Sequence, residues 1–443
     1  MPNPLGGGTA IAPNCGFEGG AAVAGPMVWG TRDYSPTNTR MAGVKTLHNG
    51  MWVRNDIFWN WMEPSFSGNG PYTWTKIDNI MSIRNNCKMM FILKGGPNGN
   101  NAYPGDANLT AYGNMCAAML RRYDAPALGA IEFYNEPDLA GWTGTQAGNV
   151  AVAAANAMAP INAAKAPSAR TFSIAGCWSG GANIQTPSQR IIDFYNTINP
   201  IQAKIDFVSY HPYHRQVRPE ITSGASSPTP HPRGMQFQMA DVIAAAKAHG
   251  YNGNFAATEF GFPTMPLTFV NYVSEANQAR YTMRQMIMML AHGAGKFKLL
   301  TQFHMWGDNT PNEEEGGDGI VRCATDIDDA GNKPGAGTLK PCYHAYQTLM
   351  NIIDETYVSA TPITVPDPTT SAAFVYRYDK TGGKYGFAFW TSLPGSTNTV
   401  QLTGLPASVR KTLQNGAQST VSTTSGNISV SATNDVTYVD AVW

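Results

Sequence analysis

The sequence predicts an α/β protein, a (β/α)8 TIM barrel with a C-terminal antiparallel β-sandwich. Two observations carry this. Apolar, strand-like runs alternate repeatedly with amphipathic or Ala-rich segments, the pattern of a parallel sheet joined by crossover helices. After Tyr357 the texture changes to Val/Thr-rich alternation with Gly-rich turns, the pattern of antiparallel strands.

Eight strands are expected, at Pro26–Thr31, Met51–Phe58, Lys88–Lys94, Gly129–Asn135, Thr171–Gly176, Ile205–His211, Asn254–Glu259 and Lys298–Met305. Helices are expected at Thr39–Leu47, Trp74–Asn85, Leu109–Arg122, Gln146–Lys165, Ser188–Ile198, Met235–His249 and Ser274–His292, with an eighth, Lys340–Ile353, after a long loop. Eight such units fit a closed barrel with insertions; a doubly wound open sheet is the alternative. Ala373–Tyr378 and Tyr385–Trp390 read as a hairpin around Lys380-Thr-Gly-Gly-Lys384. The expected organisation is an N-terminal extension over 1–25, a barrel over 26–355 and an accessory sandwich over 356–443, whose simplest role is packing.

Composition narrows function. Lys+Arg and Asp+Glu are both 30 among 443 residues, so the net charge is zero. A nucleic-acid binder needs a basic face and an electrostatically held membrane protein a polybasic one, so neither is expected. Charged residues are only 14% while hydrophobic ones are 43%, enough for a large core. No run of 18 apolar residues occurs, which argues against a transmembrane helix. Surface polarity must then come from Asn, Gln, Ser, Thr and Gly, which with 10 Trp and 19 Tyr suit an uncharged, hydroxyl-rich ligand or simply a large core with Gly-rich loops.

The six cysteines show no CxxC and no zinc-like spacing with His, so no metal site is expected. Cys323 and Cys342 flank a Gly/Asp-rich loop and are the preferred disulfide pair, buried free thiols being the equal alternative. The acidic stretch Asp308–Asp329 offers several oxygen ligands for calcium but lacks EF-hand spacing, so a solvated loop is the default. Asn108-Leu-Thr110 and Asn427-Ile-Ser429 match the glycosylation pattern. Met1 is followed by Pro-Asn-Pro and three glycines rather than a basic-then-apolar signal. That fits a cytoplasmic protein, or a secreted or periplasmic one whose signal was removed, the reading preferred here.

In such a barrel the chemistry sits at the C-terminal ends of strands. The fourth strand ends Phe133-Tyr-Asn-Glu-Pro137 and the seventh Ala257-Thr-Glu-Phe-Gly261. A lone glutamate there reads as a salt bridge, because an unpartnered buried carboxylate is costly. Two, at nearly opposite strands, are the minimum equipment for glycoside hydrolysis.

Asn135-Glu136-Pro137 together with Thr258-Glu259-Phe-Gly261 resembles the clan A glycoside hydrolases. Val53–Pro64 is similar to the strand-two region of family 39 and its neighbours, Ser209-Tyr-His-Pro-Tyr213 to the strand-six histidine/tyrosine segment, and Lys340–Tyr346 to the final helix. The resemblance implies a retaining enzyme with Glu136 as general acid/base, Glu259 as nucleophile and carboxyls about 5–5.5 Å apart. It needs no cofactor, and its substrate is a poly- or oligosaccharide. Substrate-side roles follow for Asn135 at the sugar 2-hydroxyl and Trp306 as a platform under the ring. Arg54 is expected beside Glu259, with Asp56 or Glu132 as alternative partners; His211 or Tyr213 is a donor to it, a satisfied core histidine being the other reading of His211. Trp59, Trp61, Trp142 and Trp178 are platforms or core, and Lys94 a weaker substrate contact.

Endo action is preferred over an exo-acting, β-xylosidase-like enzyme. A carbohydrate-binding barrel without catalysis is a competing class. A metal-dependent hydrolase would need ligand clusters that His211, His214 and His304 do not supply in pattern. Oligomeric state is left open.

Overall fold

A computed structural model describes residues 14–18, 52–68, 70–84, 87–96, 102–123, 127–166, 169–179, 188–214, 218–220, 234–264, 272–302, 318–322, 326, 328–354 and 356–441. It is a TIM-like α/β fold followed by antiparallel sheets.

Eight parallel strands pair in chain order: β1 Asn14–Glu18, β2 Trp52–Phe58, β3 Lys88–Lys94, β4 Leu128–Glu132, β5 Phe172–Trp178, β6 Phe207–Tyr210, β7 Asn254–Ala257 and β8 Phe297–Gln302. β1 also pairs with β8, through Asn14–Phe17 against Leu299–Gln302. The first stave is therefore Asn14–Glu18. This strand falls inside the stretch 1–25 expected as an N-terminal extension; the expected strand Pro26–Thr31 and helix Thr39–Leu47 lie outside the described residues. The five-residue NCGFE strand has a glycine at its centre and polar ends, so the more apolar run downstream carried the stronger strand signal.

The helices are α1 Trp59–Met62, α2 Thr75–Ile83, α3 Leu109–Arg122, α4 Gly144–Ala163, α5 Gln189–Ile198, α6 Met235–Ala248, α7 Glu275–His292 and α8 Pro341–Ile352. Their starts follow local chemistry. Thr143 and Gln146 form a reciprocal capping box at α4, Ser274 caps α7 through the Asn277 N–H, and Pro341 opens α8, where a missing N–H costs nothing. Among the described residues no helix is long and apolar enough to cross a membrane.

Side chains alternate along each strand, and one parity fills the barrel in layers. Trp52, Met90, Ala130, Ile174, Phe207, Ala256 and Leu299 make an apolar layer. Two residues further along the strands come Arg54, Glu132, Ser209, Thr258 and Thr301, all buried and all polar. The site stands on this second layer.

After β9 (Tyr357–Thr364), strands β10 (Ala373–Lys380), β11 (Tyr385–Thr391), β12 (Asn398–Leu402), β13 (Ser408–Leu413), β14 (Gln418–Ser422), β15 (Ile428–Ala432) and β16 (Thr437–Ala441) build a six-stranded antiparallel sheet, β14-β13-β16-β11-β10-β9, and a two-stranded one, β12-β15. Phe389, Val409, Val400, Leu402 and Val430 share one core between the two sheets. The other face of the larger sheet is not independent of the barrel. Tyr376, Tyr378, Trp390 and Tyr438 belong to the same apolar cluster as α7 and α8. Arg284 of α7, fully buried, is ion-paired to buried Glu220 at 3.0 Å and donates to the Thr391 carbonyl at 3.2 Å. The indole of Trp390 donates to the same Glu220 oxygen.

The expected Cys323–Cys342 disulfide is not formed. Cys342 is a buried free thiol that hydrogen-bonds Thr282, and Cys323 lies outside the described residues. Cys87, Cys116 and Cys177 are likewise buried and form no disulfide, as small apolar side chains in a large core often do not. Three of the four described acids of the 308–329 stretch are tied into the structure as follows: Asp329 accepts from the first N–H groups of α7, Asp326 pairs with Lys340, and Asp328 closes a turn on Asn332.

Candidate active site

The body of β2 and the ends of β4, β5, β6 and β7 converge on one charged cluster. Arg54 is its hub and is completely buried. Its Nε donates to Glu132 at 2.6 Å, one terminal nitrogen donates to Glu259, and the other donates to Asn135 Oδ1 at 2.7 Å and to Cys177 Sγ at 3.4 Å. Every face of the guanidinium fork is thus used, which a lysine could not reproduce. Glu132 is fully buried and is held on its other oxygen by Ser209 at 2.6 Å and Thr258 at 2.8 Å.

Glu136 and Glu259 face one another. Glu136 Oε1 lies 3.0 Å from His211 Nδ1, and Glu259 Oε2 lies 3.3 Å from the same nitrogen. One oxygen of each carboxylate and that nitrogen all fall within 4.8 Å of one another. Glu136 keeps 20% of its side chain exposed and Glu259 7%, so the pair opens to solvent on one side. Tyr213 donates its hydroxyl to Glu259 Oε2 at 2.9 Å. Glu136 has a left-handed backbone, φ 45°, a conformation that costs a non-glycine residue about 1–2 kcal/mol and turns the chain sharply after β4.

Burial alone would raise the Glu259 pKa. The charges of His211, Arg54 and Lys94 and the Tyr213 hydroxyl outweigh it and bring Glu259 down to about 2. Burial works against a charged His211 imidazole, but the Cys177 sulfur and the two glutamates carry its pKa well above the usual histidine range. Lys94 acts on Glu259 through its charge and is bonded to Asp56 at 2.6 Å. Burial pushes the Cys177 thiol up to about 11, so it is neutral near pH 7.

Of the residues expected at the site, Glu136, Glu259, Arg54, Asn135, His211 and Tyr213 come together, and Trp306 lies outside the described residues. Arg54 and His211 are both fully buried, and both are bonded to the carboxylates. Asn135 is partly exposed and already accepts from Arg54 through its oxygen. Trp59, Trp142 and Trp178 are buried packing residues: Trp59 donates to Glu63, Trp142 lies against Tyr134 and Trp178 against Phe194. Trp61 packs on Phe58 beneath Lys76. Sequence reasoning missed Cys177 in the cluster and knew Glu132 only as a possible partner of Arg54. Strand parity was the available signal for Glu132, two residues beyond interior Ala130.

Two groups of metal-type donors occur among the described residues, Glu132/Cys177/His211 and Glu136/His211/Glu259. In each, Arg54 is already bonded to a carboxylate and supplies the positive charge.

No protein-family model matches the sequence, and no curated protein matches it. Solved structures do. A family 39 glycoside hydrolase from the gut symbiont Bacteroides cellulosilyticus WH2 aligns over 98% of this chain and 81% of its own, with a TM-score of 0.66 at 15% identity. The fold is that of the clan A glycoside hydrolases. The GH39 enzyme of Xanthomonas axonopodis pv. citri gives a TM-score of 0.60 over 98% of this chain and 96% of its own, at 14% identity. The GH51 arabinofuranosidase of the same organism gives 0.59 over 97% and 96%, at 12% identity. The likeness runs through the C-terminal sheets as well as the barrel.

Proposed function

We infer that the protein is a retaining glycosidase, cleaving β-glycosidic bonds of a poly- or oligosaccharide by endo action. The observation that carries this is the meeting of Glu136 and Glu259, from opposite strands of a glycoside hydrolase fold, at one histidine nitrogen.

Inverting enzymes need about 6.5–9.5 Å between carboxyls to seat a water, whereas retaining ones need about 5–5.5 Å. The short separation of the carboxylate oxygens here supports the second geometry. In this reading Glu259, ionised at working pH, attacks the anomeric carbon. Glu136 gives its proton to the glycosidic oxygen as that bond breaks, leaving a glycosyl ester on Glu259. Water then attacks the same carbon, Glu136 takes its proton, and Glu259 departs as the carboxylate. His211 suits both halves, because its Nδ1 proton can turn to whichever glutamate is charged. The negative charge sits on Glu259 before attack and on Glu136 once the ester has formed. We read the barrel as the catalytic unit and the two C-terminal sheets as a small sandwich that braces it.

The experiment is a panel of β-linked polysaccharides and aryl β-glycosides, with product sizes measured and anomers followed by NMR. The expected result is oligomeric products, first appearing as the β-anomer, and no turnover by Glu259→Gln. Products appearing first as the α-anomer, or full turnover by that variant, would overturn the mechanism.

A further inference from the structure

We propose that the bulge at Gly176–Cys177, near the end of β5, is a positioning device that holds Glu136 against His211, with Cys177 as its key residue. This rests on the reading of Glu136 as acid/base.

The bulge is visible as a register shift: Ala175 pairs with Val208 of β6, but the next pair is Trp178 with Tyr210. Gly176 (φ 95°) and Cys177 (φ 50°) are both left-handed. An extra strand residue of this kind re-aims the groups that follow it. Here it aims two successive carbonyls. The Cys177 carbonyl accepts the Glu136 N–H at 2.9 Å, and the Trp178 carbonyl accepts the His211 N–H at 2.9 Å. The circuit closes through the side chains, His211 Nδ1 to Glu136 Oε1. The backbone origins of acid/base and histidine thus hang from adjacent residues of one bulge, which fixes their spacing.

Cys177 locks the device from below. Its N–H donates to Ser209 Oγ at 2.9 Å, and that hydroxyl donates to Glu132. Its sulfur lies 3.2 Å from His211 Nε2, accepts from Arg54 at 3.4 Å and donates to Asn135 at 3.5 Å. One uncharged side chain therefore touches His211, which meets Glu136, together with Arg54 and Asn135. A side chain at Gly176 would be strained by its φ of 95°, and its Cβ would be crowded, 3.1 Å from Val208 and 3.2 Å from the Ser209 carbonyl.

The test compares kcat/KM, which reports the step in which the leaving group departs, for wild type, Cys177→Ala, Cys177→Ser and Glu136→Gln on phenyl and 2,4-dinitrophenyl β-glycosides of the sugar preferred in the panel. Only the phenyl leaving group needs a proton. Misplacing a catalytic group by an ångström costs roughly 10²-fold. Cys177→Ala is therefore expected to lose about that on the phenyl glycoside while staying within a few-fold on the dinitrophenyl one. Cys177→Ser, which keeps a donor, is expected to recover part of the loss. Equal losses on both substrates, or none, would overturn the proposal. Glu136→Gln separates the two claims. If it shows the leaving-group split and the Cys177 variants do not, the bulge is not a positioning device. If it shows no split, the acid/base reading itself fails. Should Cys177→Ala not fold, Cys177→Ser decides by the same comparison, the split supporting the proposal and its absence refuting it.

Discussion

Tyr213 and His211 act on Glu259 in the same direction, and removing either should be visible in pH dependence. With Glu259 held down to about 2, the acidic limb of kcat/KM in the wild type belongs below pH 3, down to acid unfolding. Tyr213→Phe removes a hydrogen bond to the charged form and leaves the packing ring. A bond of that kind is worth about 1.5–3 kcal/mol, so the limb should rise by about 1–2 units, as stopped-flow assays across pH 2–6 would show; an unmoved limb would mean Tyr213 does not act on the nucleophile. The two glutamates are legible in the sequence because each ends an apolar strand run, where a carboxylate needs a reason. The thiol of Cys177 is not, since a cysteine in an apolar run signals only core and the bulge that turns it inward has no periodicity of its own. Glu132 is legible in hindsight by parity. The sugar platform expected at Trp306 is a proposal that rests on the resemblance.

At the scale of elements, the strands from β2 to β8 and all described helices longer than one turn follow runs readable by periodicity, because both faces of each stave are covered and so stay apolar. β1 escapes the same reading because five residues with a central glycine carry too little signal. The helix contacts behind the site depend on small residues more than on pattern. Gly144 opens α4 directly against α5, and a Cβ there would fall 1.7 Å from the Arg190 carbonyl. Gly144→Ala should therefore cost about 1–3 kcal/mol. Thr143→Ala, which only removes the capping oxygen, should cost about 1 kcal/mol. Urea unfolding of the two variants would rank them, and a harmless Gly144→Ala would show that α4 and α5 can separate without loss.

At the scale of the molecule, the C-terminal sheets share a core with the barrel rather than hanging from it. Arg284 sits at the seam, with Glu220, Trp390 and two backbone carbonyls around it. Arg284→Met strands a buried Glu220 charge, so it should destabilise the whole chain by about 3–5 kcal/mol, read as one cooperative transition by calorimetry. A separate, unshifted melting of the barrel would contradict the shared core. His292 at the same seam lies 3.2 Å from the Tyr376 hydroxyl, and burial lowers its pKa to about 4. The unfolded chain then binds this proton more readily than the folded one. Its contribution to stability is complete above about pH 6.5 and is lost as pH falls from there towards 4. Replacing His292 by Gln should flatten that part of the stability profile. The seam was not legible in the sequence, because β10 and β11 alternate like any two-faced strands and nothing in their pattern says that one face meets α7.

The two carboxylates at one histidine bear the weight of this account, and covalent trapping tests them most directly. A 2-deoxy-2-fluoro β-glycoside of the preferred sugar with a good leaving group should inactivate the enzyme, and peptide mass spectrometry should find the glycosyl mass on Glu259. Label on another carboxylate, or turnover without any adduct as the α-anomer is released, would contradict it.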